Sequence, residues 1–123
     1  MRRGSSEFTL EVNTGTGTAE VPARTYSPAT ADTPCLVLAH GAGAGHDSAF
    51  MVEFASALAA RGVECVTFNF LYTEQRRRAP DPPAVLEACS LAVAAAVRDR
   101  IRSRPLFIGG KSMGGRIASQ VAA

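Results

Sequence analysis

No stretch of this chain is more restrictive than residues 106–118, LFIGGKSMGGRIA. Small apolar residues run into Gly110-Lys111-Ser112-Met113-Gly114, a G-x-S-x-G pattern, and then into a segment suited only to a helix. The pattern predicts a strand, a sharp turn and a helix. Backbone at the tip of such a turn is strained, so the residues two before and two after the serine must be too small to collide across the bend. Gly110 and Gly114 meet that need. The bend lifts the Ser112 hydroxyl clear of the sheet, and the start of the next helix offers N–H groups that have no intrahelical partner. Ser112 is therefore the candidate nucleophile and the Met113 N–H a candidate oxyanion donor. Two other readings fit the same residues. A glycine-rich turn with an exposed serine needs no chemistry at all. Gly110-Lys111-Ser112 also matches the end of a phosphate-binding loop, but the first glycine of that loop would fall at position 105, which is Pro105.

At 123 residues the chain fits one domain able to bury roughly two thirds of its unfolded surface. Hydrophobic residues make up 46% and charged residues 20%, a balance that suits a globular α/β protein rather than a disordered one. A net charge of +2, with no basic face, argues against a nucleic-acid partner. Cys35, Cys65 and Cys89 are odd in number, far apart and each set in an apolar run. They read as buried reduced thiols and hence as a cytoplasmic protein. The two arginines of MRRGSSEFTLEV are followed by no apolar stretch, so no signal sequence is expected. The longest low-charge run, 84–97, contains Glu87 and is too short to cross a bilayer, so no membrane partner is expected.

Residues 8–12 alternate with Phe8, Leu10 and Val12 on one side, as a half-buried strand should. A turn-rich link at 13–18 leads to a second strand over 20–26, which Pro22 marks as an edge strand, and the two are expected to pair antiparallel. After a loop at 27–34, Cys35-Leu36-Val37-Leu38-Ala39 is an unbroken apolar run, the mark of a strand covered on both faces. A glycine-rich loop follows at 41–48. Asp47 or Ser48 is placed to cap the next helix, whose apolar stripe reads as Phe50, Met51, Phe54, Ala57 and Leu58. A strand over 63–70 exits into 71–83, where no regular element is expected. Asp81 and two prolines are then expected to start a long helix over 84–102. Strands alternating with helices after an opening pair predict an α/β fold, a mostly parallel sheet with helices on both faces and an antiparallel N-terminal strand pair. Ligands bind such sheets at the carboxyl ends of the strands, where the loops 41–48 and 71–83 and the Ser112 turn collect.

With HGAGAG after one strand, NFLYTEQRRRAPDPP after the next and GGKSMGGR after the third, the chain resembles the α/β-hydrolases, most of all their dienelactone-hydrolase-like branch of small bacterial proteins. The resemblance covers nearly everything from Cys35 to Ala123. It implies that Ser112 accepts the acyl group of a small-molecule ester, thioester or lactone, without a cofactor or metal. It also implies oxyanion donors at the backbone N–H groups of Met113 and Ala42. In this fold the base follows the nucleophile, so His40 is read as bracing the glycine loop and His46 as an exposed loop residue. Two histidines six apart with no matching carboxylates or thiolates do not make a metal site. The run Arg76-Arg77-Arg78 reads either as a solvated loop or, with Tyr72, as a reach over the serine that favours an anionic substrate; Tyr72, Arg76 and Arg78 are the candidate substrate-binding residues. Lys111 and Arg116 stand beside the same turn.

The pattern is incomplete. Residues 113–123 contain no His, Asp or Glu, so no triad acid or base follows Ser112. Serine is a poor nucleophile without a neighbouring base. The expectation is an α/β-hydrolase domain truncated after the nucleophile helix, nearly inactive, with the strand at 106–109 left as an open edge that invites self-association. The alternative is a non-catalytic binding or interaction module on the same fold.

Overall fold

The computed structural model describes residues 4–13 and 17–122. Its elements run β1 (Gly4–Asn13), β2 (Thr18–Ser27), β3 (Cys35–Ala39), α1 (Ala49–Ala60), β4 (Glu64–Phe68), α2 (Leu71–Glu74), α3 (Pro83–Ile101), β5 (Leu106–Gly110) and α4 (Met113–Ala122). Residues 14–16 of the predicted turn-rich link lie outside the described residues. One five-stranded sheet holds the strands in the order β1-β2-β4-β3-β5. β2 is antiparallel to both its neighbours, while β3 runs parallel to β4 and to β5, so four strands point one way and only β2 is reversed. This is the α/β layering expected from the alternation of strands and helices.

Two clusters of buried side chains lie on opposite faces of the sheet. On one face Cys35, Val37, Ala39, Val66 and Phe68 meet Leu86, Cys89, Val93 and Val97 of α3 and Ile117 of α4. On the other, Leu38 and Cys65 meet Met51, Ala55 and Ala59 of α1. The three thiols are free and buried, and burial pushes each up to about 12, so all are protonated at neutral pH. No helix among the described residues is long and apolar enough to cross a membrane.

The structure corrects four local expectations. The buried face of α1 is Met51, Ala55 and Ala59, whereas Phe50 and Phe54 are exposed and stack on each other with centroids 5.6 Å apart. Small alanines let α1 lie close on the sheet, which turns the two rings outward. β2 is not an edge strand: β1 pairs with all of it, and β4 pairs with Ala23–Tyr26. Pro22 is tolerated because it stands just past the end of the β4 ladder, where its carbonyl accepts the Asn69 N–H and no ladder donor is lost. The segment 71–83 does hold a regular element, the short helix α2. Asp81 does not start α3, whose N-cap is Pro82; its buried carboxylate instead accepts the Tyr72 N–H at 2.9 Å and pairs with Arg77 at 2.6 Å. Asp81 thus satisfies a first-turn donor of α2 from nine residues away.

Candidate active site

β5 ends at Gly110, α4 begins at Met113, and Ser112 occupies the bend between them. Its φ is +54°, in the left-handed region that costs a residue with a Cβ of order 1–3 kcal/mol, and its side chain is exposed. Close packing of the flanking glycines enforces this geometry. A Cβ on Gly110 would lie 2.7 Å from the Ala39 carbonyl oxygen and 2.6 Å from the backbone of Gly114. One on Gly114 would strike the carbonyl oxygens of Ala39 and His40. The end of β3 is therefore clamped against the turn, and the Lys111 N–H donates to the Ala39 carbonyl at 3.0 Å. The Gly114 N–H is occupied by the Lys111 carbonyl, whereas the Met113 N–H belongs to the first residue of α4 and has no acceptor within the helix.

The glycine loop 41–48 meets this turn at Gly41, where a Cβ would come 3.5 Å from the Ser112 Cβ. His40 sets its orientation. The imidazole is fully buried, its Nδ1 lies 2.8 Å from the Gly41 carbonyl oxygen, and its Nε2 is 3.1 Å from the Phe70 backbone nitrogen. A carbonyl only accepts and a backbone N–H only donates, so Nδ1 carries the proton and Nε2 is bare. Burial lowers the pKa of the ring below 6.5 and keeps it neutral. In a trans peptide N–H and C=O point in opposite directions, and there is no cis bond among the described residues. With the Gly41 carbonyl held inward by His40, the Ala42 N–H points away from the buried ring. His40 is thus the brace that the sequence suggests, and the peptide it orients is the one that carries the Ala42 donor.

His46 is not the exposed residue expected. It is buried, with ring Nδ1 3.2 Å from Thr67 Oγ1 and its backbone N–H donated to Asn69 Oδ1 at 2.8 Å. These bonds tie the glycine loop to the exit of β4, and burial lowers the pKa of this ring too. Sequence could not reveal this because the partners lie 21 and 23 residues away. Tyr72, Arg76 and Arg78 line one cleft of about 460 Å³ with Gly43, Ala44 and Gly45, so the two loops do come together. Ser112 does not line this cleft. Lys111 leans its ammonium over the Phe50 ring, 5.2 Å from the centroid, and is not part of it. No group of three or more metal-ligating side chains occurs among the described residues.

The comparisons with known proteins agree with this architecture. The family model described as "Alpha/beta hydrolase domain" matches residues 32–123. The chain belongs to the α/β-hydrolase family. No curated protein matches it in sequence. Among solved structures, an α/β serine hydrolase without a lid from Xanthomonas campestris superposes with a TM-score of 0.79 at 22% identity, covering 96% of this chain and 55% of the other. A cold-adapted esterase from an Arctic intertidal metagenomic library gives 0.72 at 21% identity, covering 98% and 56%. An α/β serine hydrolase homologue from Coxiella burnetii gives 0.72 at 18%, covering 94% and 56%. At these identities the likeness is one of fold, and the chain spans about half the length of each of these structures.

Proposed function

We propose that Ser112 is the nucleophile of a serine hydrolase acting on an ester, thioester or lactone. The observation that carries this reading is a non-glycine residue held at φ +54°, exposed, at a strand-to-helix bend whose neighbours admit no side chain. Strain kept at one position by packing on both sides is typical of a functional site. In the proposed reaction Ser112 Oγ attacks the carbonyl carbon while a base removes its proton, and the oxyanion is held by the N–H groups of Met113 and Ala42. The alcohol or thiol leaves with a proton, and water then hydrolyses the acyl-serine. No metal or cofactor is invoked.

Neither histidine is free to be the base: both rings are buried, His40 has both nitrogens bonded inside, and His46 has Nδ1 on Thr67 and Nε2 3.8 Å from the Asp47 carboxylate. The 123 residues alone are therefore expected to turn esters over slowly, at the level that oxyanion donors and binding supply. The three loop motifs favour the dienelactone-hydrolase-like branch, and the buried reduced thiols favour a cytoplasmic setting. Acid quench after exposure of the whole gene product to 4-nitrophenyl butyrate, followed by peptide mass spectrometry, tests the reaction. A butyryl group on the peptide containing Ser112, absent in Ser112→Ala, is expected. Hydrolysis that persists at the same rate in Ser112→Ala contradicts the proposal.

One observation favours the second reading, a non-catalytic interaction module. β5 lies at a sheet edge among the described residues, and its Phe107 is 58% exposed. An open apolar edge is a template for another chain, including a second copy of this one.

A further inference from the structure

The glycine loop stands on two feet. Gly41 and His46 are buried at its ends, and Ala42, Gly43 and Ala44 between them are exposed. Among the described residues the N–H and carbonyl groups of Ala42, Gly43 and Ala44 make no hydrogen bond, so the crown of the loop is placed only through its feet. The first foot is the His40 ring, which joins the Gly41 carbonyl to the Phe70 N–H. A peptide plane held at its carbonyl alone can still rock about that bond, and the Ala42 N–H rocks with it. The second foot removes this freedom. There Asn69 Oδ1 accepts the His46 backbone N–H at 2.8 Å, and a Cβ on Gly45 would lie 2.9 Å from the same oxygen. The chain returns against the Asn69 side chain with no room to spare.

Asn69 is itself fixed. It follows β4 directly, and its backbone N–H donates to the Pro22 carbonyl, so its Cα is held by the sheet. Its amide could present either end to the loop, because the oxygen and the NH2 group have nearly the same shape. His46 offers a donor and calls for the oxygen; Nδ2 then faces Glu74, whose Oε1 accepts it at 3.3 Å. A carboxylate only accepts, so Glu74 selects the same orientation from the other side. We infer that Asn69 is a positioning residue for the oxyanion donor at Ala42, acting through His46, with Glu74 keeping its oxygen toward the loop. This rests on the reading of Ser112 as nucleophile, whose Cβ lies against Gly41 at the first foot.

Two measurements separate this inference from the nucleophile assignment. The first is hydrolysis of 4-nitrophenyl butyrate by the whole gene product, beside inhibition by 1,1,1-trifluoropentan-2-one. Ser112 Oγ adds to the carbonyl of that ketone, and the hemiketal oxygen takes the oxyanion's place. Asn69→Ala keeps the His46 ring on Thr67 and is expected to lower kcat about tenfold, to leave KM within about threefold, and to weaken the ketone by the same factor as kcat. Asn69→Asp/Glu74→Gln reverses donor and acceptor between the two side chains and still offers an oxygen to His46, so it is expected to restore both values. Glu74→Ala, at an exposed position, is expected to lower kcat with KM and the urea midpoint unchanged. The second measurement needs no chemistry: in the Ser112→Ala protein, Asn69→Ala should move the Ala42 amide resonance and the double substitution should return it. An unmoved Ala42 resonance, an unchanged kcat, a loss in kcat that ketone affinity does not follow, or no recovery in the double variant overturns the inference. An Ala42 resonance that moves and returns as expected, in a protein that never forms an acyl-serine, leaves the Asn69 brace standing and removes the nucleophile.

Discussion

At the scale of single residues the tension sits at Ser112. Its left-handed backbone is unfavourable for any side chain with a Cβ but not for glycine, so Ser112→Gly is expected to raise stability by about 1 kcal/mol while abolishing acylation. Ser112→Ala keeps the strain and should stay within about 0.5 kcal/mol of the parent. Urea denaturation of the three proteins measures both; equal midpoints for Gly and Ala would mean that the bend stores no strain. Gly114→Ala is the opposite case, since its methyl group meets two carbonyl oxygens, and a loss of about 3 kcal/mol or more is expected. The two buried histidines give a pH signature. Burial lowers both below 6.5, so the unfolded chain takes up protons that the folded chain refuses. Stability should be flat between pH 6.5 and about 8, below the range where unfolded thiols ionise, and fall as the pH drops through 6.5, by at most about 1.4 kcal/mol per pH unit for each ring, until the folded-state values are reached. A urea midpoint unchanged between pH 7.5 and 5 would contradict the bonding described for His40 and His46.

At the scale of elements, what the sequence made legible was local. β3 falls on the predicted residues 35–39 because a run of five apolar residues has few other uses, and the turn at Ser112 was readable from the spacing of its glycines, although the Ala39 and His40 carbonyls they make room for lie on distant β3 and just after it. What escaped depends on distant partners. α2 exists where composition argued against it because Asp81 reaches back to the Tyr72 N–H. His46 is buried because Thr67 and Asn69 on and after β4 receive it. The face of α1 was misjudged because hydrophobic size suggested Phe50 and Phe54, whereas close approach to the sheet selected Ala55 and Ala59. Of the candidate site, the bend at Ser112 and the bracing by His40 were readable. The separation of Lys111 from the arginine cleft was not, since nothing in the sequence says which way a long side chain turns.

At the scale of the whole molecule the sheet has two unlike margins. β1 is held along its full length by β2 and covered by α3, with Arg100 over the Phe8 ring at 4.2 Å. β5, at the other margin among the described residues, presents Phe107 to solvent, and Phe50 and Phe54 of α1 are exposed as well. The 123-residue chain is therefore expected to self-associate. Sedimentation velocity should show an average mass rising with concentration, and Phe107→Lys should return it to the monomer. A parent chain that stays monomeric at every concentration would mean that this edge attracts nothing. If the bend at Ser112 sets its hydroxyl chemically apart, a fluorophosphonate probe reads this most directly. Applied to the whole gene product and mapped by peptide mass spectrometry, it should leave one adduct, on Ser112, that disappears in Ser112→Ala. An adduct on another residue, or the same labelling after the substitution, would contradict the account.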